Sequence, residues 1–276
     1  MTLPPTTRLR SSPWRAAALA ASAALLASAV LNAWLAQSAL QSYRGEHAVR
    51  LDPAGLATFG NDAAVGAMLP LPLPAPGRAR LVLLGDSRIA QWGVPPLPSG
   101  FVAVNRGVGG QTSAQILLRL DRDALALGPR VVVVEAGIND LKTIGLFPSR
   151  RAAIVRGCLT NLRGIVARLR GGGVVVVVLT VFPVGRVNLA RRPFWSDATV
   201  DAVGEVNRAI LGMAGPGVVA VDCDAVLAEG RRINPAFEAD TLHLNPAGYR
   251  ALDAALRPAL ARIAADFEAD APHAVQ

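Results

Sequence analysis

From Arg80 onward the chain alternates short aliphatic runs with longer amphipathic stretches, and this alternation constrains the fold more than any other feature. The runs cover residues 81–84, 101–105, 131–135, 174–180 and 218–221. They are near-continuous valine and leucine, without the polar alternation of a strand that has one wet face. Such strands are buried on both faces, as in a parallel sheet covered by helices on each side. Helical spacing marks residues 113–125, 149–168, 197–213 and 246–267, and Asn245-Pro246 is a helix-start signal, because proline is tolerated in a first turn. The expected fold class is α/β, a three-layer α/β/α sandwich around a five-stranded parallel sheet. Hydrophobic residues make up 52 % of the chain but aromatics only 5 %, so alanine, valine and leucine must fill the core.

The N-terminus carries a different signal. Residues 16–36 contain no charged side chain, Arg8, Arg10 and Arg15 precede them, and Trp14 and Trp34 lie near the two ends. At about 1.5 Å per residue this stretch can cross a hydrocarbon core of roughly 30 Å, with the tryptophans at interfacial depth. A transmembrane helix that acts as a signal anchor is expected. A cleaved signal peptide, with Ala27-Ser28-Ala29 as its site, is the alternative. The apolar run continues to Ala36, long for a signal peptide, which favours the anchor. The positive-inside rule makes residues 1–15 a cytoplasmic basic tail and puts the rest on the extracytoplasmic, periplasmic side, or in the medium if the signal is cleaved. Residues 37–79 read as a linker, with prolines at alternate positions over 69–77 that forbid a helix and favour a stiff spacer. Residues 80–270 read as the folded domain.

A net charge of +8 invites a nucleic-acid partner, but the arginines are scattered, with no dense run and no interleaved aromatics. The charge reads as a solvated, arginine-rich surface, with attraction to anionic headgroups or an acidic polymer as the functional alternative. Cys158 and Cys223 have no metal-type spacing; they read as buried thiols, with one disulfide left open for an exported domain.

Ligands of such sheets gather at the carboxyl ends of the strands. Gly85-Asp86-Ser87-Arg88 follows the first run, and places a serine hydroxyl on a tight turn near amides able to stabilise negative charge. Asn105-Arg106-Gly107-Val108-Gly109-Gly110-Gln111-Thr112-Ser113 follows the second, where glycines allow close backbone approach; it lacks the lysine and the spacing of a nucleotide loop. Gly137-Ile138-Asn139-Asp140 follows the third and offers an amide donor, or a helix cap. Asp240-Thr241-Leu242-His243-Leu244-Asn245 supplies a histidine, the natural base near neutral pH, with a carboxylate three residues earlier to hold its ring. The other histidines, His47 and His273, lie in the linker and the tail. Asp86 and Asp140 read as turn or cap residues, and residues 191–196 as a loop that walls the substrate, faces the membrane or is plain surface.

In this order the four blocks resemble the SGNH (GDSL-type) hydrolase family, over roughly residues 80–267. The resemblance implies a flavodoxin-like hydrolase fold and a serine esterase. Its nucleophile would be Ser87, its base His243 and its orienting acid Asp240. The oxyanion hole would comprise the Ser87 and Gly110 N–H groups and the Asn139 side-chain amide; Gly107 fits less well, because the match runs through the Gly-x-Thr-Ser ending. Arg88 stands where the family's name has leucine, outside the triad. No metal and no organic cofactor is implied. The expected substrates are small-molecule, glycan or lipid esters, short-acyl or O-acetyl esters foremost. A lysophospholipase or thioesterase at the membrane surface is the alternative, and a catalytically silent envelope module a third.

Overall fold

The computed structural model describes residues 13–51, 78–187 and 195–269. The chain divides into two compact units, Met1–Pro53 and Ala54–Gln276. The basic tail up to residue 12, the linker from 52 to 77 with its proline-rich run, residues 188–194 and the tail with His273 lie outside the described residues.

Among the described residues the first unit holds one helix, α1 (Pro13–Leu51). Within it Ala17–Ala39, 23 residues of mean hydropathy 1.8, is long and apolar enough to cross a membrane by length and composition. Leu19, Leu25, Leu26, Val30 and Leu31 are exposed, as befits a helix that is apolar all round and buries no face within its own unit. The helix runs past residue 36, so the first part of the expected linker is helical.

In the second unit all five aliphatic runs are strands: β1 (Ala79–Gly85), β2 (Phe101–Gly107), β3 (Val131–Glu135), β4 (Val175–Leu179) and β5 (Val218–Val221). They form one parallel sheet in the order β2-β1-β3-β4-β5. The helices that matter for the site are α2 (Ser87–Ala90), α3 (Ser113–Leu118), α4 (Leu120–Asp123), α5 (Ile138–Leu141), α6 (Arg151–Gly171), α7 (Asp197–Leu211) and α8 (Pro246–Ala269).

Successive side chains of a strand point to opposite faces, and here each face meets a separate core. Val132 and Val134 join Val82, Leu84, Val176 and Val178 under Leu162 and Ile165 of α6 and Val203 and Val206 of α7. Val131 and Val133 join Leu81, Leu83, Val177 and Leu179 under Leu252, Leu256 and Leu260 of α8. This is why the strands show no polar alternation. The two cysteines fall in opposite cores, Cys158 in the first and Cys223 in the second, and both are free, which settles the open question of a disulfide between them. Burial pushes both thiols up.

One expected helix is broken. Residues 113–125 form α3, α4 and a 3-10 turn (Leu125–Leu127). The break falls at Arg119, whose backbone leaves the helical region at φ −93° and ψ 2°. Its buried guanidinium donates inward to the Gly85 carbonyl at 2.8 Å and to Gln111 Oε1 at 2.5 Å, and pairs with Asp123 at 3.1 Å. A tertiary contact at the sheet's edge thus overrides helical spacing.

The strand order reverses beside β1, which has β2 on one side and β3 on the other. Their carboxyl ends are in register, with Gly85 opposite both Gly107 and Glu135. A crevice at such a reversal is where ligands of open α/β sheets bind.

Candidate active site

The chain after β1 turns at once into α2. Asp86 caps it, accepting the Arg88 N–H at 2.9 Å, and Ser87 is its first residue. α2 lies hard against the end of β2: a Cβ on Gly107 would stand 2.1 Å from the Ala90 nitrogen, so only glycine fits. Gly110 takes φ +79°, a left-handed turn that returns the chain toward α3, and a Cβ placed on Gly109 would sit 3.8 Å from the Ser87 Cβ. α3 starts with a capping box, Thr112 with Gln115.

The last contributor arrives from the far end of the sequence. Residues 240–243 form a tight turn in which Asp240 Oδ1 accepts the N–H of Leu242 at 2.7 Å and of His243 at 2.9 Å. Asn245 accepts the N–H of Ala247 at 2.8 Å and of Gly248 at 3.1 Å at the start of α8, as the Asn-Pro signal predicts. The His243 ring then bridges two partners. Nδ1 lies 2.9 Å from Asp240 Oδ2, and Nε2 lies 2.9 Å from Ser87 Oγ. Burial opposes ionisation of Asp240, but the hydrogen bonds from the His243 ring and from the Leu242 and His243 amides outweigh it and hold the carboxyl down at about 2. An ionised carboxylate only accepts, so Nδ1 carries the ring proton and Nε2 presents its lone pair to the serine hydroxyl. This arrangement can take a proton from Ser87 and spread the resulting positive charge toward Asp240.

Asn139, on α5, is nearly buried beside this pair. Its amide orientation follows from its neighbours. Nδ2 donates to Asp86 Oδ2 at 3.2 Å and to the Gln111 carbonyl at 3.0 Å, while Oδ1 accepts from Lys142 Nζ at 2.6 Å. Asp140 stays out of the centre: it accepts the Ser113 N–H at 2.8 Å and hydroxyl at 2.7 Å, tying the β3 loop to α3. Asp86 is a helix cap, whereas Asp140 lies within α5. Ser87, Asp240, His243 and Asn139 therefore come together, with the Gly109-Gly110 turn beside the serine.

Three side chains here escape sequence reading. Arg88 is completely buried, and donates from Nε to the Leu242 carbonyl at 3.0 Å and from the guanidinium to the carbonyls of Phe182 at 3.0 Å and Pro183 at 3.3 Å. It thus ties the residue next to His243 to the turn that carries Ser87. It also lies 3.5 Å from Glu135, the polar end of the third aliphatic run. Glu135 is fully buried; that burial, reinforced by the charge of Asp86, pushes its carboxyl far up against the pull of Arg88. Two carboxyl groups and one guanidinium thus sit below the serine turn, and burial pushes both carboxyls up. Lys142 is the third. The residue pairs involved are 154 and 47 positions apart for Arg88, beyond any local pattern.

A cavity of about 430 Å³ opens beside the histidine, lined by Lys142, Thr143, Leu146, Trp195, Asp240, Leu242 and His243. Trp195 belongs to the loop read as a possible substrate wall; residues 191–194 of that loop are outside the described residues.

Residues 83–251 match the model of the GDSL-like Lipase/Acylhydrolase family. No curated protein matches the chain significantly. Among solved structures, the chain is similar to a protein of Bacteroides fragilis NCTC 9343 described as an acylhydrolase, at a TM-score of 0.60 and 21 % identity over 74 % of this chain and 96 % of that one. It is also similar to a GDSL-like lipase of Bacteroides thetaiotaomicron VPI-5482, at 0.57 and 18 % over 74 % and 98 %. An acetyl xylan esterase follows at 0.51 and 15 %, over 66 % and 99 %. At these identities the neighbours show the fold, and the family match covers more than half of the sequence. The chain belongs to the GDSL-like lipase/acylhydrolase family of serine ester hydrolases.

Proposed function

We propose that Ser87, His243 and Asp240 form the catalytic triad of an esterase acting on carboxylic esters of short acyl groups, O-acetyl groups among them. The observation that carries this reading is the unbroken chain of hydrogen bonds from Ser87 Oγ through the His243 ring to Asp240, 2.9 Å at each step.

His243 Nε2 takes the hydroxyl proton as Ser87 Oγ bonds to the ester carbonyl carbon. The tetrahedral oxyanion is held by the backbone N–H of Ser87 and of Gly110 and by Asn139 Nδ2–H. Both Asn139 hydrogens already have acceptors, so the oxyanion draws one from the longer contact, that to Asp86 at 3.2 Å. The carbon–alkoxy bond then breaks, and Nε2–H protonates the departing alcohol. Water, deprotonated by the same nitrogen, attacks the acyl-serine; the ester bond to Oγ breaks, Oγ regains its proton and the acid leaves.

Residues 80–270 form the hydrolase domain. Residues 16–36 act as a membrane anchor, residues 1–15 stay on the cytoplasmic side, and a spacer over 37–79 leaves the catalytic domain outside. The apolar helix described in the first unit and the arginines before it support this placement. A second reading has its own observation. Leu146, Trp195 and Leu242 give the cavity an apolar wall, which suits a longer acyl chain and hence a lysophospholipid or thioester.

The test compares the full-length protein in detergent with Ser87→Ala on p-nitrophenyl esters of increasing acyl length. Turnover that peaks at acetate and vanishes in Ser87→Ala supports the short-acyl esterase. A maximum at long chains moves the assignment to lipid or thioester substrates. Full activity in Ser87→Ala refutes the triad.

A further inference from the structure

Lys142 is the only lysine among the 28 lysine and arginine residues of the chain, and it sits at the reaction centre. It opens the 3-10 turn Lys142–Gly145 directly after α5, three residues beyond Asn139, so both side chains share one face. Its ammonium donates to Asn139 Oδ1 at 2.6 Å and lines the same cavity as His243. Arginine fills every other cationic position; here a compact ammonium points one donor at an amide oxygen, a geometry that a broad planar guanidinium matches poorly.

The consequences for Asn139 are electrostatic as well as geometric. A lysine only donates, so it fixes the amide with oxygen toward Nζ and both N–H bonds toward Asp86 and the Gln111 carbonyl. A positive charge at the oxygen end draws electron density away from nitrogen. That makes Nδ2–H a stronger donor to negative charge arising on a substrate oxygen. Asp86, which also feels the Lys142 charge, holds the nitrogen end.

We propose that Lys142 is a positioning residue of the ester hydrolysis, which locks and polarises the Asn139 amide for the oxyanion. The proposal rests on the triad reading above. A lysine that instead gripped an anionic group of the substrate would line the same cavity, and the experiment must separate the two.

The test is a double-mutant cycle on the full-length protein in detergent, with Lys142→Met and Asn139→Ala. On neutral esters Lys142→Met should lower kcat by about 10- to 100-fold, the weight of a hydrogen bond to a charged group, with KM unchanged. In the Asn139→Ala background the same substitution should change nothing further. An equal loss in both backgrounds overturns the proposal, and so does a rise in KM confined to anionic esters. A second readout needs no turnover. The Asn139 side-chain NH2 pair, identified in 15N spectra by its disappearance in Asn139→Ala, should shift in Lys142→Met. An unmoved pair sinks the contact. Ester turnover that is absent in wild type condemns the triad reading, and leaves the spectrum to decide the role of Lys142.

Discussion

Replacing Arg88 tests how far the catalytic turn depends on a buried charge that never touches substrate. Arg88→Met keeps an unbranched apolar stem and removes the guanidinium. The Leu242, Phe182 and Pro183 carbonyls lose donors at 3.0, 3.0 and 3.3 Å, and Glu135 loses its cation at 3.5 Å. Breaking a buried charged pair typically costs about 3–5 kcal/mol. The lower end applies, because the Glu135 carboxyl is already pushed toward its neutral form and needs little from its partner. The activity loss has a separate origin. Without the bond to the Leu242 carbonyl the His243 turn is held less tightly, and a displacement of about 1 Å between reacting groups costs on the order of 10²-fold in rate. The expected result is a stability loss of about 3 kcal/mol in urea unfolding and a kcat about 100-fold lower on p-nitrophenyl acetate. The double variant Arg88→Met/Glu135→Gln removes both partners and leaves an amide in place of the buried carboxyl; it should recover part of the stability but little of the rate. Wild-type kcat in the single variant, or full recovery of kcat along with stability in the double, would refute the tether.

Two further perturbations separate the remaining parts. Asn139→Ala should stay folded and lose about 10²–10³ in kcat, roughly 2.7–4 kcal/mol of transition-state stabilisation, measured on a neutral ester with the fold checked by circular dichroism. Asp240 has a carboxyl held below its usual 3.8, at about 2, so its ionised form stabilises the folded state. That contribution is complete above the unfolded value and fades as pH falls from about 4 through about 2. Asp240→Asn should therefore flatten the pH dependence of the melting temperature in that window. An unaltered slope would mean that the carboxylate is not held by His243 in solution.

Much of this architecture was readable because its causes are local. Each valine run is a strand because both of its faces meet a core, and the absence of polar alternation records that directly. The four motif blocks fall at strand ends or just before α8, so their order alone brings serine, glycine, asparagine and histidine to one crevice. What sequence could not show is what side chains do across long separations. Arg88 stands outside the triad in sequence, yet it turns into the core to meet Leu242, 154 residues later. Glu135 looked like the polar end of a strand and is completely buried. Residues 113–125 had continuous helical spacing, which the inward reach of Arg119 interrupts. Lys142 carried no motif at all; its partner three residues earlier became evident only once the amide of Asn139 was fixed in space.

The Asp240–His243 turn has a consequence of another kind. Acid and base lie three residues apart and are joined by backbone and side-chain bonds within one short loop, whereas serine and base are 156 positions apart. The dyad is therefore a self-contained cassette, and the tertiary fold has only to dock it. Heating or mild denaturant should uncouple the nucleophile from the cassette before the cassette itself comes apart. Loss of activity would then run ahead of loss of the imidazole–carboxylate contact, and the weak seam of this enzyme would be the join between its two ends.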